Sequence, residues 1–216
     1  PAPGASVWGG GSKLPRDEGW MNVRVDRRLF AGPSGQYEPT RTRDMKGRVH
    51  EAHIVMSKGC DWNCSFCTER RNLSRGEQRR DVESVLHEVS QLAKRYTDLR
   101  VQFIDDNLLP QIASPYNSSG VRREEGKAWA VRFLAGLKEI RDELGGKLSW
   151  RGIFRLEDFA AYEALGEAGG FVRVLGEAGC NMLAFGVESG DAANRHSLKA
   201  GGREFTNDAI QQLFRR

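Results

Sequence analysis

The sequence predicts an α/β fold: a parallel sheet that carries helices on its outer side and curls toward a (β/α) barrel. Strand patterns alternate with amphipathic helix patterns about four times between residues 48 and 216. Such alternation is typical of parallel sheets, and right-handed crossovers place the helices outside. Polar residues follow each predicted strand, and the carboxyl ends of the strands form the active face in folds of this kind.

The first predicted strand, residues 50–56, runs directly into a loop that holds three of the four cysteines. A helix is predicted over residues 81–96, with Asp81 as its N-cap, because apolar residues recur there at intervals of three and four. Residues 100–104 form the second predicted strand. We expect residues 110–126, which carry Pro, Ser, Asn and Gly, to form a long loop.

The second half of the chain continues the alternation. An apolar face predicts a helix over residues 127–144, and two glycines at 145 and 146 end it. The remaining predicted elements are a strand at 148–154, helices at 156–168 and 171–178, a strand at 181–187 and a helix at 205–214.

Composition limits the class of protein. Residues 1–47 are rich in Gly, Pro and Arg and predict an irregular lead-in or linker, which leaves residues 48–216 as the core. No apolar run approaches the roughly 18 to 20 residues of a membrane helix. A net charge of +4 does not argue for nucleic acid. The first residues fit neither a start Met nor a signal peptide, and predict a piece of a longer protein.

Three cysteines, Cys60, Cys64 and Cys67, form a C-x3-C-x2-C loop after the first strand. Clustered cysteines are more often metal ligands than disulfide partners, which favours a cytoplasmic protein. Three thiolates can hold three irons of a cubane cluster and leave the fourth iron open. A zinc module or an electron-carrier cluster stays an alternative, but both need a fourth ligand, and Cys180 is interpreted as a small buried residue.

The loop also matches C-x3-C-x-aromatic-C, with Phe66 in the aromatic position, and on this motif the chain resembles the radical SAM superfamily. Residues 102–107, Gln-Phe-Ile-Asp-Asp-Asn, resemble the second-strand signature of the branch that often carries a cobalamin-binding domain. Residues 178–190 and Lys199 are similar to the fourth-strand phrase and its close. The resemblance covers about residues 48–205.

The resemblance implies a partial (β/α) barrel of radical SAM type, because family members usually have six strands and this sequence has about four strand–helix units. It implies a [4Fe–4S] cluster and S-adenosylmethionine, which is cleaved reductively to a 5′-deoxyadenosyl radical that abstracts hydrogen from an unknown substrate. A flavodoxin or ferredoxin would supply the electron. Cobalamin would come from a domain outside this sequence, and the core is expected to be truncated.

The same resemblance assigns cofactor contacts. Asp105, Asp106 and Asn107 stand where the family receives the amino group of S-adenosylmethionine, although Asp and Asn are also common turn formers. Phe66 is either a core residue or the wall beside the adenine.

Three further residues follow the third and fourth predicted strands. Arg155 pairs either with the methionine carboxylate or, in a surface ion pair, with Glu157 or Asp158. Glu188 and Ser189 stand where the family contacts the ribose or methionine end. A carboxylate is costly to bury without partners, which favours a site role for Glu188.

Overall fold

The computed structural model describes residues 39–44, 47–68, 77–96, 98–114, 120–165, 170–199 and 206–215. Seven strands lie in these segments: β1 (Thr40–Asp44), β2 (Gly47–Ile54), β3 (Ser57–Lys58), β4 (Gln78–Arg79), β5 (Leu99–Phe103), β6 (Leu148–Phe154) and β7 (Cys180–Phe185). Six helices accompany them: α1 (Val82–Arg95), α2 (Gly120–Glu143), α3 (Leu156–Glu163), α4 (Gly170–Glu177), α5 (Ala192–Leu198) and α6 (Asn207–Phe214).

The main sheet has the strand order β1-β2-β5-β6-β7. The last four strands run parallel, while β1 pairs antiparallel with β2 at one edge. This confirms the predicted α/β fold with four parallel strands. Within the described segments the sheet is open, with β1 and β7 at its edges, so closure into a barrel is not observed there.

The core lies between one face of this sheet and the helices. Alternate residues of β5 and β6 point toward the helices, as the two-residue period of a strand requires. The Phe103 ring contacts Phe133 of α2, with ring centroids 5.3 Å apart, and Trp150 of β6 at 6.0 Å. All three side chains are fully buried, so this aromatic cluster fixes α2 against the sheet.

The first residues of α1 and α2 can be compared with the helix boundaries that the sequence predicts. Asp81 caps α1 as predicted, because its side chain accepts a hydrogen bond from the Ser84 amide at 3.1 Å. The prediction of a loop through residue 126 was wrong in its second half, since α2 begins at Gly120. Residues 122–125 are good helix formers, but they are exposed and carry no apolar period that could signal a helix.

The predicted irregular lead-in was wrong at its end, because residues 40–44 form β1 and residue 47 already belongs to β2. Residues 1–38 of that lead-in lie outside the described residues. Helix α5 was not predicted because its seven residues are too few for a clear period; Asp191 caps it through the Asn194 amide at 2.7 Å. Among the described helices, none combines the length and apolarity needed to cross a bilayer.

Removing the ring at the centre of the aromatic cluster tests the packing. Phe133→Ala is expected to lower the free energy of unfolding by about 3–5 kcal/mol, because it leaves a cavity beside Phe103 and Trp150. Val131→Ala is the control, because Val131 lies on the same helix and is 70% exposed. This change should alter the free energy of unfolding by less than about 0.5 kcal/mol. Urea unfolding of both variants measures the difference, and equal losses would contradict this packing.

Candidate functional site

The cysteine loop leaves the carboxyl end of β2 through β3. Gly59 has a positive φ of 79°, a conformation that favours glycine, and it turns the chain into the loop. Cys64 is buried, whereas Cys60 and Cys67 are half-buried. The Cys67 amide donates to the Cys64 carbonyl at 3.3 Å, which makes a tight turn between these two cysteines.

Asp105, at the end of β5, fixes the beginning of this loop. Its carboxylate accepts hydrogen bonds from the Met56 amide at 3.0 Å, from the Ser57 hydroxyl at 2.6 Å and from the Ser57 amide. Burial raises the pKa of Asp105, and the charge of Arg79 and these hydrogen bonds only partly oppose that rise. Asp105 therefore connects the end of β5 to the segment that leads from β2 into the cysteine loop.

Asp158, in the first turn of α3, joins the middle of the loop to two other segments. Its carboxylate accepts hydrogen bonds from the Trp62 indole at 3.0 Å, from the Asn107 amide group at 3.3 Å and from the Ala113 backbone amide at 2.9 Å. The side chain is fully buried, and burial raises its pKa to about 7. The Asn107 oxygen in turn accepts from the Arg155 amide at 2.9 Å.

A second set of polar contacts holds the first cysteine. The Gln111 side-chain oxygen accepts from the Asp61 amide at 2.9 Å and from the Cys60 thiol at 3.3 Å. The Asp61 carboxylate accepts from the Glu77 amide at 2.8 Å. Burial raises the pKa of Cys60 to about 12 and so favours its thiol form, which means that metal binding there must release a proton.

A cation cluster stands against Cys64. The Arg155 guanidinium donates to the Cys64 sulfur at 2.7 Å, pairs with Glu157 at 2.9 Å and lies 3.8 Å from the centroid of the Trp62 ring. Lys199 reaches the same Glu157 carboxylate at 3.5 Å and donates to the Gly186 carbonyl at 2.5 Å. The charge of Glu188 also acts on Lys199, so the two cations stand among two carboxylates beside the cysteine sulfur.

Helix α5 brings Lys199 to this place. The Ser65 amide donates to the Leu198 carbonyl at 2.9 Å, and the Ser65 hydroxyl reaches the same oxygen at 3.2 Å. The end of α5 therefore packs on the cysteine loop between its second and third cysteines. Burial lowers the pKa of Lys199, while Glu157 opposes that shift.

The residues suggested as cofactor contacts divide into buried and exposed groups. Asp105 and Asn107 are buried, and their polar atoms form hydrogen bonds with other residues of the protein. Asp106 is exposed, and burial of part of its surface raises its pKa. Arg155 forms its ion pair with Glu157, but at a nearly buried position and not at the surface as the alternative supposed. Phe66 is 50% exposed, so it is not a core residue.

Glu188 and Ser189 follow β7. Glu188 is exposed, so the expected cost of burying its carboxylate does not apply. It has a positive φ of 67°, an uncommon conformation for a residue other than glycine. The Ser189 carbonyl accepts from Arg195 at 2.6 Å, which ties this turn to α5. The role of either residue in binding S-adenosylmethionine stays a prediction.

The donor set on the loop fits an iron–sulfur cluster in kind, because three thiols on eight residues are the ligands that such clusters take. Across the described segments, however, no three His, Cys, Asp or Glu side chains stand close enough together to hold a metal ion. The Cys64 sulfur already accepts a hydrogen bond from the positively charged Arg155 side chain. Binding a cluster would require the three sulfurs to converge.

Sequence reasoning missed Asp158, Gln111 and Trp62 as parts of this site. Asp158 stands in the first turn of a helix, where an acidic residue interacts favourably with the helix dipole. Its position in the sequence therefore did not indicate a role in the site. Gln111 lies in a segment interpreted only as loop. The partners of these three side chains lie between 45 and 96 residues away in the sequence, so local spacing carried no signal.

Comparison with known proteins supplies independent information on the family. No protein-family model matches the chain. An uncharacterised methyltransferase of Pyrococcus horikoshii is 24% identical over 136 residues, which cover 63% of this chain and 24% of that protein. The fold is similar to the radical S-adenosylmethionine methyltransferase TsrM of Kitasatospora setae, with a TM-score of 0.51, 19% identity, and coverage of 86% of this chain and 35% of that one. Methylornithine synthase aligns with a TM-score of 0.43 at 20% identity, over 76% of this chain and 40% of that one.

TsrM is a radical S-adenosylmethionine methyltransferase, so the resemblance seen in the sequence is confirmed at the level of the fold. The chain spans about a quarter of the length of the curated relative and about a third of the TsrM chain.

Asp158 makes the apo protein's stability depend on pH. Its folded pKa of about 7 exceeds the ordinary value of 3.8, so between these pH values the folded state holds more protons. Asp158→Asn removes this titration. The stability of the wild type relative to this variant should therefore fall as pH rises from about 4 to about 7, by at most about 1.4 kcal/mol per pH unit. Urea unfolding at several pH values measures it; a constant difference would show that Asp158 has an ordinary pKa.

The ion pair at Cys64 gives a second prediction. Arg155→Met leaves the buried Glu157 carboxylate with Lys199 at 3.5 Å, and it should cost about 3 kcal/mol of unfolding free energy. The control is Arg173→Met, which breaks an exposed pair with Glu177 at 3.6 Å and should cost less than about 1 kcal/mol. If both variants unfold at the same denaturant concentration, the buried pair does not hold this part of the site together.

Proposed function

We propose that this chain is the core of a radical SAM enzyme, which binds a [4Fe–4S] cluster and S-adenosylmethionine at the carboxyl edge of its parallel sheet. The observation that supports it most is the cysteine loop itself. Three thiols follow the first parallel strand, in a fold similar to that of a radical SAM methyltransferase. Active sites of comparable α/β folds lie at the same edge.

Cys60, Cys64 and Cys67 would hold the cluster through three of its irons. When bound, the cluster and S-adenosylmethionine supply an open iron, an electron and a carbon radical that abstracts hydrogen. The protein keeps the loop in place through Asp158. This division of roles leaves binding, orientation and exclusion of water to the chain.

The exposed and charged residues around the loop would bind the methionine part of S-adenosylmethionine. Asp106 is exposed, and its charge acts on the Cys60 thiol, so it stands near the cluster side and suits a positively charged amino group. Arg155 and Lys199 are positively charged donors close to Cys64, which suits the carboxylate. Glu188 and Ser189 stand at the next strand end, where we place the ribose, and the exposed Phe66 would cover the adenine.

The names of the curated relative and of the most similar of these structures favour transfer of a methyl group over the other reactions of this class. Cobalamin, where such transfer uses it, would come from a domain outside this sequence. A flavodoxin or ferredoxin would deliver the electron. The two alternatives, an electron-carrier cluster and a zinc module, both lack a fourth ligand within the described residues.

Anaerobic reconstitution with iron and sulfide tests the proposal. The protein should bind about four irons and form 5′-deoxyadenosine when S-adenosylmethionine and dithionite are added. Changing Cys60, Cys64 or Cys67 to Ala should abolish both results. Cys180→Ala is the matched control and should keep the iron, because Cys180 is a half-buried residue at the start of β7.

Three other results would contradict the proposal. Iron binding without 5′-deoxyadenosine from the full-length protein would indicate an electron carrier. One equivalent of zinc in a colourless protein would indicate a zinc module. Loss of iron in the Cys180 variant alone would show that the ligand assignment is wrong.

A further inference from the structure

Two cysteines of the loop differ in the direction of the hydrogen bonds that their sulfur atoms make. The Cys60 thiol donates to the Gln111 side-chain oxygen at 3.3 Å, whereas the Cys64 sulfur accepts from the Arg155 guanidinium at 2.7 Å. Metal ligation removes the proton of a thiol. Ligation would therefore break the bond that Cys60 donates. The bond that Cys64 accepts is compatible with a thiolate and becomes stronger with it.

Arg155 is held against the Cys64 sulfur from two other sides. Its guanidinium lies 3.8 Å from the centroid of the Trp62 ring. Its Nε and Nη2 atoms contact the two carboxylate oxygens of Glu157 at 2.9 Å and 3.1 Å. The side chains of Arg155 and Glu157 are only 10% and 5% exposed. A planar guanidinium suits this place, because it can stack on a ring and donate within its own plane at the same time.

The groups that hold Arg155 are themselves fixed by the rest of the site. The Trp62 indole donates to Asp158 at 3.0 Å, and the Arg155 amide donates to the Asn107 side-chain oxygen at 2.9 Å. The Asn107 side chain also donates to Asp158, at 3.3 Å. One buried carboxylate therefore fixes both the ring beside the guanidinium and the backbone that carries it. The contact of Arg155 with Cys64 is thus built on buried groups.

A hydrogen bond to a ligating sulfur affects the reduction potential of an iron–sulfur cluster. Reduction adds negative charge to the cluster and to its sulfur ligands. A cationic donor on one of these sulfurs therefore stabilises the reduced form more than the oxidised form, and the potential rises. Partners outside the ligand set tune metal sites in this way, provided that they are held in place.

We propose that Arg155 raises the reduction potential of the cluster through its N–H···S hydrogen bond to Cys64, and that Trp62 is the positioning residue that keeps the guanidinium on this sulfur. The inference rests on the proposed function, because it concerns the cluster of the same site. It goes beyond the contact proposed with the methionine carboxylate, since the bond to Cys64 acts without S-adenosylmethionine.

Pulsed EPR of the full-length protein tests this bond directly. The protein is labelled with ¹⁵N at arginine, reconstituted with iron and sulfide, and reduced without S-adenosylmethionine. The wild type should show a magnetic coupling to ¹⁵N, because unpaired spin on the Cys64 sulfur reaches the nitrogen across the hydrogen bond. Arg155→Lys keeps the positive charge beside Glu157 and should lose the coupling. Trp62→Leu keeps the arginine but removes the ring, and should weaken the coupling.

A reductive titration followed by EPR gives the second readout. At a fixed potential near the midpoint, Arg155→Met should lower the ratio of reduced to oxidised cluster about tenfold, which corresponds to about 59 mV for one electron. Lys199→Met is the matched control, because it removes a buried cation from the same Glu157 carboxylate, at 3.5 Å, and leaves the N–H···S bond in place. It should shift the potential less than half as far.

Several results would overturn the inference. These are a wild type without coupling to arginine nitrogen, a coupling that persists in Arg155→Lys, a wild-type potential in Arg155→Met, and equal shifts in Arg155→Met and Lys199→Met. An unchanged coupling in Trp62→Leu would remove the positioning role of Trp62. The wild-type spectrum needs no variant, so the test does not depend on the folding of Arg155→Met.

The outcome is separate from that of the 5′-deoxyadenosine assay. A cluster with the arginine coupling in a protein that forms no 5′-deoxyadenosine would leave the role of Arg155 standing and remove the proposed reaction. Formation of 5′-deoxyadenosine by a cluster without this coupling would do the opposite. A protein that takes up no iron would contradict both.

Discussion

The Asp158 carboxylate accepts hydrogen bonds from three segments of chain: the cysteine loop at Trp62, the end of the second parallel strand at Asn107 and the following turn at Ala113. The side chain is fully buried, so each donor it holds would lose its partner in a dry environment if the carboxylate moved. Asp105 repeats this arrangement at the start of the loop. The position of the cysteines relative to the sheet therefore depends on two buried carboxylates.

At two places around the sheet, two cationic side chains contact the same carboxylate. Arg155 and Lys199 share one carboxylate beside Cys64, and Arg100 and Arg151 share Glu51 on β2. Cationic donors therefore stand at two levels of the sheet, near the cysteine sulfur and deeper along the strands, and a carboxylate accompanies them at each level.

The spacing of apolar residues and the Asp81 cap are local properties of the sequence. They were sufficient to predict the four parallel strands and α1. The cysteine spacing and its resemblance identified the family that the fold comparison supports. Local patterns failed where stability comes from distant partners. Helix α2 begins earlier than its apolar face does, and the bonds of Asp158 and Gln111 span about 50 residues or more. The exposure of Phe66 and Glu188 likewise depends on tertiary packing, which spacing does not describe.

The central claim is that the three cysteines leave one iron open for S-adenosylmethionine. Mössbauer spectroscopy of the full-length protein reconstituted with ⁵⁷Fe, recorded before and after addition of S-adenosylmethionine, tests it most directly. The account predicts that about one quarter of the iron signal changes its isomer shift on addition, because one of the four sites gains nitrogen and oxygen ligands. A spectrum in which all iron sites are sulfur-ligated and unaffected by S-adenosylmethionine would contradict it.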